Sequence, residues 1–420
     1  MNNTKETGRY SFLLDLLMSQ QFSSPNQIVI SSKADNLKVM VFKPSHEPME
    51  HSGKLPGWSI YDFPDYLEIK VFRNSQRQRI FKAPLYKGFS IDLTSFKGLG
   101  DYLKQILNAK KRSHLRGVLR RFEHCIEPDY KVYKGDDITE EECNSLIQTL
   151  EDMLKERFQQ KREANYELPL MNFYRKVFYQ LLLDKKASLY VIYDRGRAIS
   201  ISMNLILGKT LMLFNSSYDK HYAPFGLGHI NMMKNIDWAF EQGFETIDLG
   251  RGDYTHKRRW VNKTYTYLEV KFGFDGYILK KLKALIGILF LKIRYLLIQV
   301  LKFFRFQHLY AFIRKQSYNR GSSEERRSNE TSLQTKLLPA NDVDRRNLVP
   351  LDLFKPAYSN ELAVFLTVLH KQRLSHFELK PYMLENKPGI LYVEKEGSLF
   401  RLNQDSEREQ KTKNGFDSSM

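Results

Sequence analysis

The stretch that most constrains this chain is Ile247-Asp-Leu-Gly-Arg-Gly-Asp-Tyr-Thr-His-Lys-Arg-Arg-Trp260. A short alternating run over 244–249 leads into it, and an aromatic, β-prone run over 265–274 leads out, so two strands flank one bend. Gly250 and Gly252 permit positive φ and close approach of a ligand to the backbone. Arg251, Asp253, Lys257 and Arg258 crowd both signs of charge into that bend. Loops at strand ends are where chemistry concentrates.

The segments before it extend the pattern. Residues 188–193 are β-branched and aromatic, Asp194-Arg-Gly-Arg197 turns the chain, and 198–207 alternates. In that second run Ile199, Ile201, Met203, Leu205 and Leu207 share one face, with Ala198, Ser200, Ser202 and Asn204 on the other. A face of small polar residues leaves room for a ligand along the strand. A third run, 210–217, follows a Gly208-Lys209 turn. Then Tyr222-Ala-Pro-Phe-Gly-Leu-Gly-His229 precedes a helical pattern with Ile230, Met233, Ile236 and Phe240 on one stripe. Glycines ahead of a helix start leave N–H groups open to an anion, which the helix dipole also favours.

Several features recur together: Ile91-Asp-Leu, Lys110-Lys-Arg-Ser-His-Leu-Arg, Leu119-Arg-Arg-Phe-Glu123, Tyr218-Asp219, Tyr222 with Pro224, and Asp248-x-Gly-Arg-Gly-Asp253 with Lys257 and Trp260. In these the chain, from about 89 to 274, resembles the GNAT-superfamily acyltransferases of the FemAB-like branch. That branch includes CelD-type proteins linked to bacterial envelope polysaccharides. Two positions depart from the family's pattern: His256 stands where it usually has Tyr, and Pro224-Phe-Gly226 replaces Pro-Gly.

The resemblance implies an α+β GNAT acyl-CoA acyltransferase fold with two GNAT-like lobes. It further implies transfer of an acyl group from a thioester, acetyl-CoA above all, to an amine or hydroxyl of a sugar or other envelope precursor. Under it Ser200, Ser202 and Asn204 line the pantetheine arm, and Pro224, Gly226 and Gly228 hold the pyrophosphate. Asp253 is the first candidate to bind or deprotonate the acceptor, followed by His256. Lys257 stabilises developing negative charge, and Arg251, Tyr254, Tyr222 and Trp260 contact substrate. Arg251 can equally be an internal partner of Asp253. Two other readings stay open: a non-catalytic scaffold of a membrane-associated polysaccharide-synthesis complex, and an aminoacyl transferase of FemAB type.

Charge and composition bound the rest. A formal net charge of +18 calls for an anionic partner, whether lipid, nucleic acid or a phosphorylated donor. No zinc pattern or recognised nucleic-acid motif is present, so nucleic acid is not the expected partner. Cys125 and Cys143 supply neither a disulfide framework nor a metal set, and no metal is expected. The apolar run over 11–18 is interrupted by Asp15 and followed by no small-residue cleavage site, so the expected location is the cytoplasm.

The chain divides by pattern. After an N-terminal segment, 1–24, comes an α+β lobe over 25–125, with strand-like runs at 27–30, 38–42, 67–72, 79–82 and 89–93. The lobe ends in a basic helix over 99–123. The acyltransferase domain follows over 126–275. It opens on a capping-box helix from Thr139-x-x-Glu142, and a further helix over 169–184 sets Phe173, Val177 and Leu181 into the core. Residues 276–316 hold basic amphipathic helices with no Asp or Glu over 276–320, the profile of a helix on an anionic membrane surface at the inner face. A linker over 317–332, an accessory module over 333–402 and a disordered tail over 403–420 complete the chain.

Overall fold

A computed structural model describes residues 8–22, 24, 26–33, 38–43, 57–161, 165–274, 278–303, 334–340, 343–384 and 387–405. In chain order, β1 (Arg9–Ser11) and a π-helical turn (Phe12–Met18) precede β2 (Gln27–Ser32), β3 (Lys38–Phe42), β4 (Trp58–Pro64), β5 (Leu67–Arg73), β6 (Gln76–Arg77) and β7 (Phe81–Asp92). Helices α1 (Leu99–Ile106) and α2 (Ala109–Ile126) follow, then β8 (Asp129–Tyr133), α3 (Glu140–Lys161) and α4 (Met171–Leu183). Three strands come next, β9 (Ala187–Asp194), β10 (Arg197–Leu207) and β11 (Thr210–Tyr218). A 3-10 turn (Lys220–Phe225) leads to α5 (Leu227–Glu241), β12 (Thr246–Arg251), the single turn α6 (Thr255–Arg258) and β13 (Lys263–Phe272). Beyond these lie α7 (Ile278–Phe303), β14 (Gln334–Pro339), β15 (Leu348–Pro350), α8 (Ser359–Gln372), β16 (Lys380–Leu384), β17 (Lys387–Lys395) and β18 (Ser398–Asp405).

Nine strands form one sheet in the order β1-β4-β13-β7-β12-β11-β10-β9-β8. Residues on either side of the expected lobe boundary share this sheet, since β7 from the N-terminal third lies between β12 and β13 and pairs antiparallel with both. The N-terminal segment is likewise tied in, β1 running parallel to β4. Pro84 sits inside β7, where the register against β13 shifts between Tyr267 and Leu268. A bulge is the usual way a sheet accommodates proline.

Apolar residues cover both faces. Against one pack α1, α2, α5 and α8, through Tyr102, Phe122, Ile236 and Phe365. Against the other pack α3, α4 and the small sheet β3-β2-β5-β6, through Ile147, Phe178, Ile28 and Ile69. A register shift between Ala198 and Ser200 turns Ile199 into the first core while Ile201, Met203 and Leu205 stay in the second. The expected single basic helix is instead two helices, because Asn108 caps α2 by accepting from the Lys111 N–H. Half of the capping box forms at α3: Thr139 Oγ1 accepts from the Glu142 N–H at 3.2 Å, while Glu142 Oε1 accepts from Tyr133 OH at 2.8 Å. Cys125 and Cys143 are buried, which pushes their thiols up to about 11 and about 12.

The C-terminal module is a five-stranded sheet, β14-β18-β17-β16-β15, with α8 packed into the apolar cluster that holds α2 and α5. Its first core residues share a cluster with Phe225 and Ile230. Residues 403–405, expected in a disordered tail, are instead the end of β18, and the rest of that tail, 406–420, lies outside the described residues. Residues 1–7, the linker over 317–332 and the end of the basic stretch, 304–316, lie outside the described residues.

Candidate active site

Strands β11 and β12 are parallel neighbours for only three pairs, Thr210↔Thr246, Leu211↔Ile247 and Met212↔Asp248. Beyond Met212 they part, β11 continuing to Tyr218 beside β10. At the fork β11 carries a bulge: Met203 pairs with Asn215 and Asn204 with Leu213, so Phe214 is the extra residue. A bulged residue leaves its backbone polar groups out of the ladder. Past the bulge, Asn215 Nδ2 and Ser217 Oγ are buried without a hydrogen-bond partner. Unsatisfied buried polar atoms are costly unless a ligand or water meets them.

The fork's β12 side is built on Asp248, which is fully buried. Its carboxylate accepts from Tyr66 OH at 2.7 Å, from Tyr265 OH at 2.6 and 2.7 Å, and from the Gly250 N–H at 2.6 Å. Burial raises its carboxyl above the ordinary range, against the pull of those donors and of Lys257. Burial, together with the Asp248 charge, holds the Tyr66 and Tyr265 phenols far above theirs. Gly88, paired with Tyr265, makes the arrangement possible: a Cβ there would stand 2.1 Å from the Tyr265 ring.

Lys257 ties the motif loop back onto β12, its ammonium donating to Leu249 O at 2.6 Å and Arg251 O at 2.9 Å. Burial pushes it down to about 8, with Arg251 repelling it and Asp248 attracting it. Arg251, the last residue of β12, reaches the hydroxyl of Tyr86 and lies 5.9 Å from its ring centroid. Burial works against the Arg251 charge, yet Tyr86, Asp62 and Glu167 together hold it more firmly protonated than usual. Tyr86 OH donates to Asp62, a residue at φ 58°. On the other side Tyr174 OH donates to Glu167 Oε2 at 2.5 Å, and the Tyr174 ring meets Phe214 edge-on at 5.1 Å. Arg251 is thus bracketed by two part-exposed carboxylates and two tyrosines, with Tyr174 touching the bulge.

The opening of α5 lies at the far end of the fork. Gly226 caps it at φ 66°, with no side-chain cap. A Cβ on Gly226 would stand 3.2 Å from Val118, and one on Gly228 3.1 Å from Tyr218. Arg259 Nη1 lies 2.9 Å from His229 Nε2, bringing a cation to this helix start.

The sequence-predicted residues divide. Arg251, Lys257, Gly226 and Gly228 lie at the fork, and Pro224 is exposed on the turn before α5. Ser200, Ser202 and Asn204 do not line a groove. Asn231 and Ser202 hydrogen-bond each other at 2.8 and 3.0 Å, Asn204 donates to Asn235 at 2.9 Å, and Ser200 donates to Ser217 O at 3.3 Å. That polar face is filled by α5. Tyr222 is a core residue donating to Asp194 at 2.6 Å, and Trp260 is buried with its carbonyl accepting from Tyr102 OH. Neither is open to substrate. Asp253 is held by Arg258 at 2.6 and 2.8 Å on the outer loop, with its side chain 37% exposed, so the partner foreseen in Arg251 is Arg258 instead. Tyr254 is 57% exposed beside it. His256 lies in α6, its side chain outside the described residues.

Sequence reading missed Asp62, Tyr66, Tyr86, Glu167, Tyr174 and Arg259. The one available signal was Tyr265-Thr-Tyr267, polar aromatics at strand spacing directly after the motif. Among the described residues no group of three His, Cys, Asp or Glu could hold a metal.

The profile of the family described as an acetyltransferase (GNAT) domain matches residues 109–258, from the start of α2 to the end of α6. No curated protein matches the chain. Among solved structures, a conserved protein of unknown function from Bacteroides thetaiotaomicron is similar at 11% identity and a TM-score of 0.34, over 51% of this chain and 69% of that one. L-PGS from Bacillus licheniformis is similar at 18% and 0.31, over 46% and 61%. FemX is similar at 12% and 0.33, over 44% and 61%. The chain thus spans about three fifths of the length of the last two. Over residues 109–258 this chain is similar to the acetyltransferase (GNAT) domain family.

Proposed function

We propose that the protein is an acyltransferase that moves an acyl group from acyl-CoA to an amine or hydroxyl of a sugar or related envelope precursor. The observation that carries this reading is the fork of β11 and β12, which part beyond Met212 with a bulge at Phe214. Acetyl-CoA, when bound, supplies the activated acyl carbon. The free backbone groups of the parted strand suit the amides of a pantetheine arm. The start of α5, with no side-chain cap, where a Cβ on Gly226 or Gly228 would be tight and Arg259 stands near, suits a pyrophosphate.

The acceptor sits against Arg251, between Asp62 with Tyr86 and Glu167 with Tyr174. Carboxylates, phenols and a guanidinium together offer the donors and acceptors that a polyhydroxylated ring requires. Glu167, oriented by Tyr174 OH and beside the bulge, takes the proton as the acceptor attacks the acyl carbon and the carbon–sulfur bond breaks. Such a base contributes roughly 10² to 10⁴ in rate. The backbone N–H at the bulge donates to the carbonyl oxygen as charge gathers on it. Lys257 is a positioning residue that holds the 249–257 loop through two carbonyls.

The test is the melting temperature with acetyl-CoA, followed by release of free CoA in the presence of amino-sugar and sugar acceptors. A rise with saturable ligand dependence and acceptor-dependent release support the reading. A non-catalytic scaffold gives neither.

A further inference from the structure

Helix α7 is 26 residues long and has a face that none of the described residues covers. Ala284 and Ile288 are buried where it lies on the body, and a Cβ on Gly287 would stand 3.3 Å from Lys271 Nζ. The opposite side exposes twelve large apolar residues, from Ile278 to Leu301, with Leu282, Leu289, Phe290 and Leu296 all more than half exposed. On a helical wheel these twelve fill one unbroken sector of about 160°. Four of its six cations stand at the two borders, Lys281 and Lys292 along one edge and Lys283 and Arg294 along the other, while the side chains of Lys280 and Lys302 lie outside the described residues.

We propose that α7 lies in the plane of an anionic lipid bilayer, its apolar sector among the acyl chains and its four border cations on lipid phosphates. The charge pattern names the occupant. A protein partner that buried this face would have no need of cations along both borders, whereas lipid offers an apolar floor rimmed by phosphate on every side. Long basic side chains at such borders reach outward while their stems stay in the apolar layer. The stretch Lys281–Leu301 is also long and apolar enough to cross a membrane by length and composition. Two observations favour lying flat. Lys292 and Arg294 fall near the middle of that stretch, where charge is expensive in hydrocarbon. The helix also packs sideways on the sheet through Ala284 and Ile288, and spanning would carry the sheet in with it.

The test is co-sedimentation of the full chain with vesicles of phosphatidylcholine alone and of phosphatidylcholine with one-third phosphatidylglycerol. Binding to the anionic vesicles is expected, with little to the neutral ones. K281Q, K283Q, K292Q and R294Q should each weaken it about fivefold. L289S/F290S should abolish it while leaving the melting temperature unchanged. Alkaline carbonate should release the bound protein. Equal binding to both vesicle types, undiminished binding of the combined K281Q/K283Q/K292Q/R294Q variant, or resistance to carbonate extraction as a spanning helix would each overturn the proposal. So would failure to bind anionic vesicles, whether or not acyl transfer is found.

Discussion

At the scale of single residues, two side chains separate chemistry from scaffolding. Glu167 stands part-exposed with Tyr174 donating to it, so Glu167→Gln keeps that hydrogen bond while removing the base. The expected result is a fall of roughly 10² to 10⁴ in turnover with acetyl-CoA affinity unchanged, read from CoA release and titration. Asp253→Ala should cost far less, because its carboxylate is occupied by Arg258 on the outer loop. Lys257 gives a pH signature. Burial lowers it from 10.5 to about 8, so between about pH 8 and 10.5 the unfolded chain binds more protons than the folded one. Stability attributable to Lys257 therefore rises with pH across that window, by a few kcal/mol at most. Denaturant titrations of wild type and Lys257→Met at pH 7.5 and 10 should differ in that direction. An unchanged difference would mean that the ammonium is not buried.

At the scale of elements, the site depends on a glycine that the sequence did not single out. Gly88→Ala would place a methyl into the Tyr265 ring and push its hydroxyl off Asp248, leaving a buried carboxylate short of a donor. A loss of about 3 kcal/mol is expected by urea titration. Gly228→Val, facing Tyr218 at the start of α5, should spare stability more and weaken acetyl-CoA binding at least tenfold. The strand-helix-strand order from β9 to β13 and both glycine-rich turns were legible in the sequence, because period-two alternation and helix-start glycines are local signals. The strand β7 inserted between β12 and β13 was not, nor were Asp62, Tyr86 and Glu167 around Arg251. Those depend on pairings across more than 80 residues, which no local pattern encodes. Ser200, Ser202 and Asn204 misled for a related reason. Their alternation was read correctly as one polar face, but the asparagines of α5 that fill it lie about 30 residues away.

At the scale of the molecule, the C-terminal module is part of the fold. Ser359 Oγ meets His221 Nε2 at 2.8 Å, His370 packs on Phe225, and Arg195 lies over Phe354, all next to the turn that leads into α5. Phe365 is fully buried in the core shared with α2 and α5. Phe365→Ala should cost about 3 to 5 kcal/mol and lower the melting of the whole chain as a single transition. A separate low-temperature transition would instead make the module an independent unit.

The most direct measurement of the central claim is amide hydrogen exchange of the full chain with and without acetyl-CoA. If the fork of β11 and β12 seats the thioester, protection rises over 213–218 and 226–230 and little elsewhere. Binding without protection of those two segments, or protection confined to the far edge of the sheet, would contradict it.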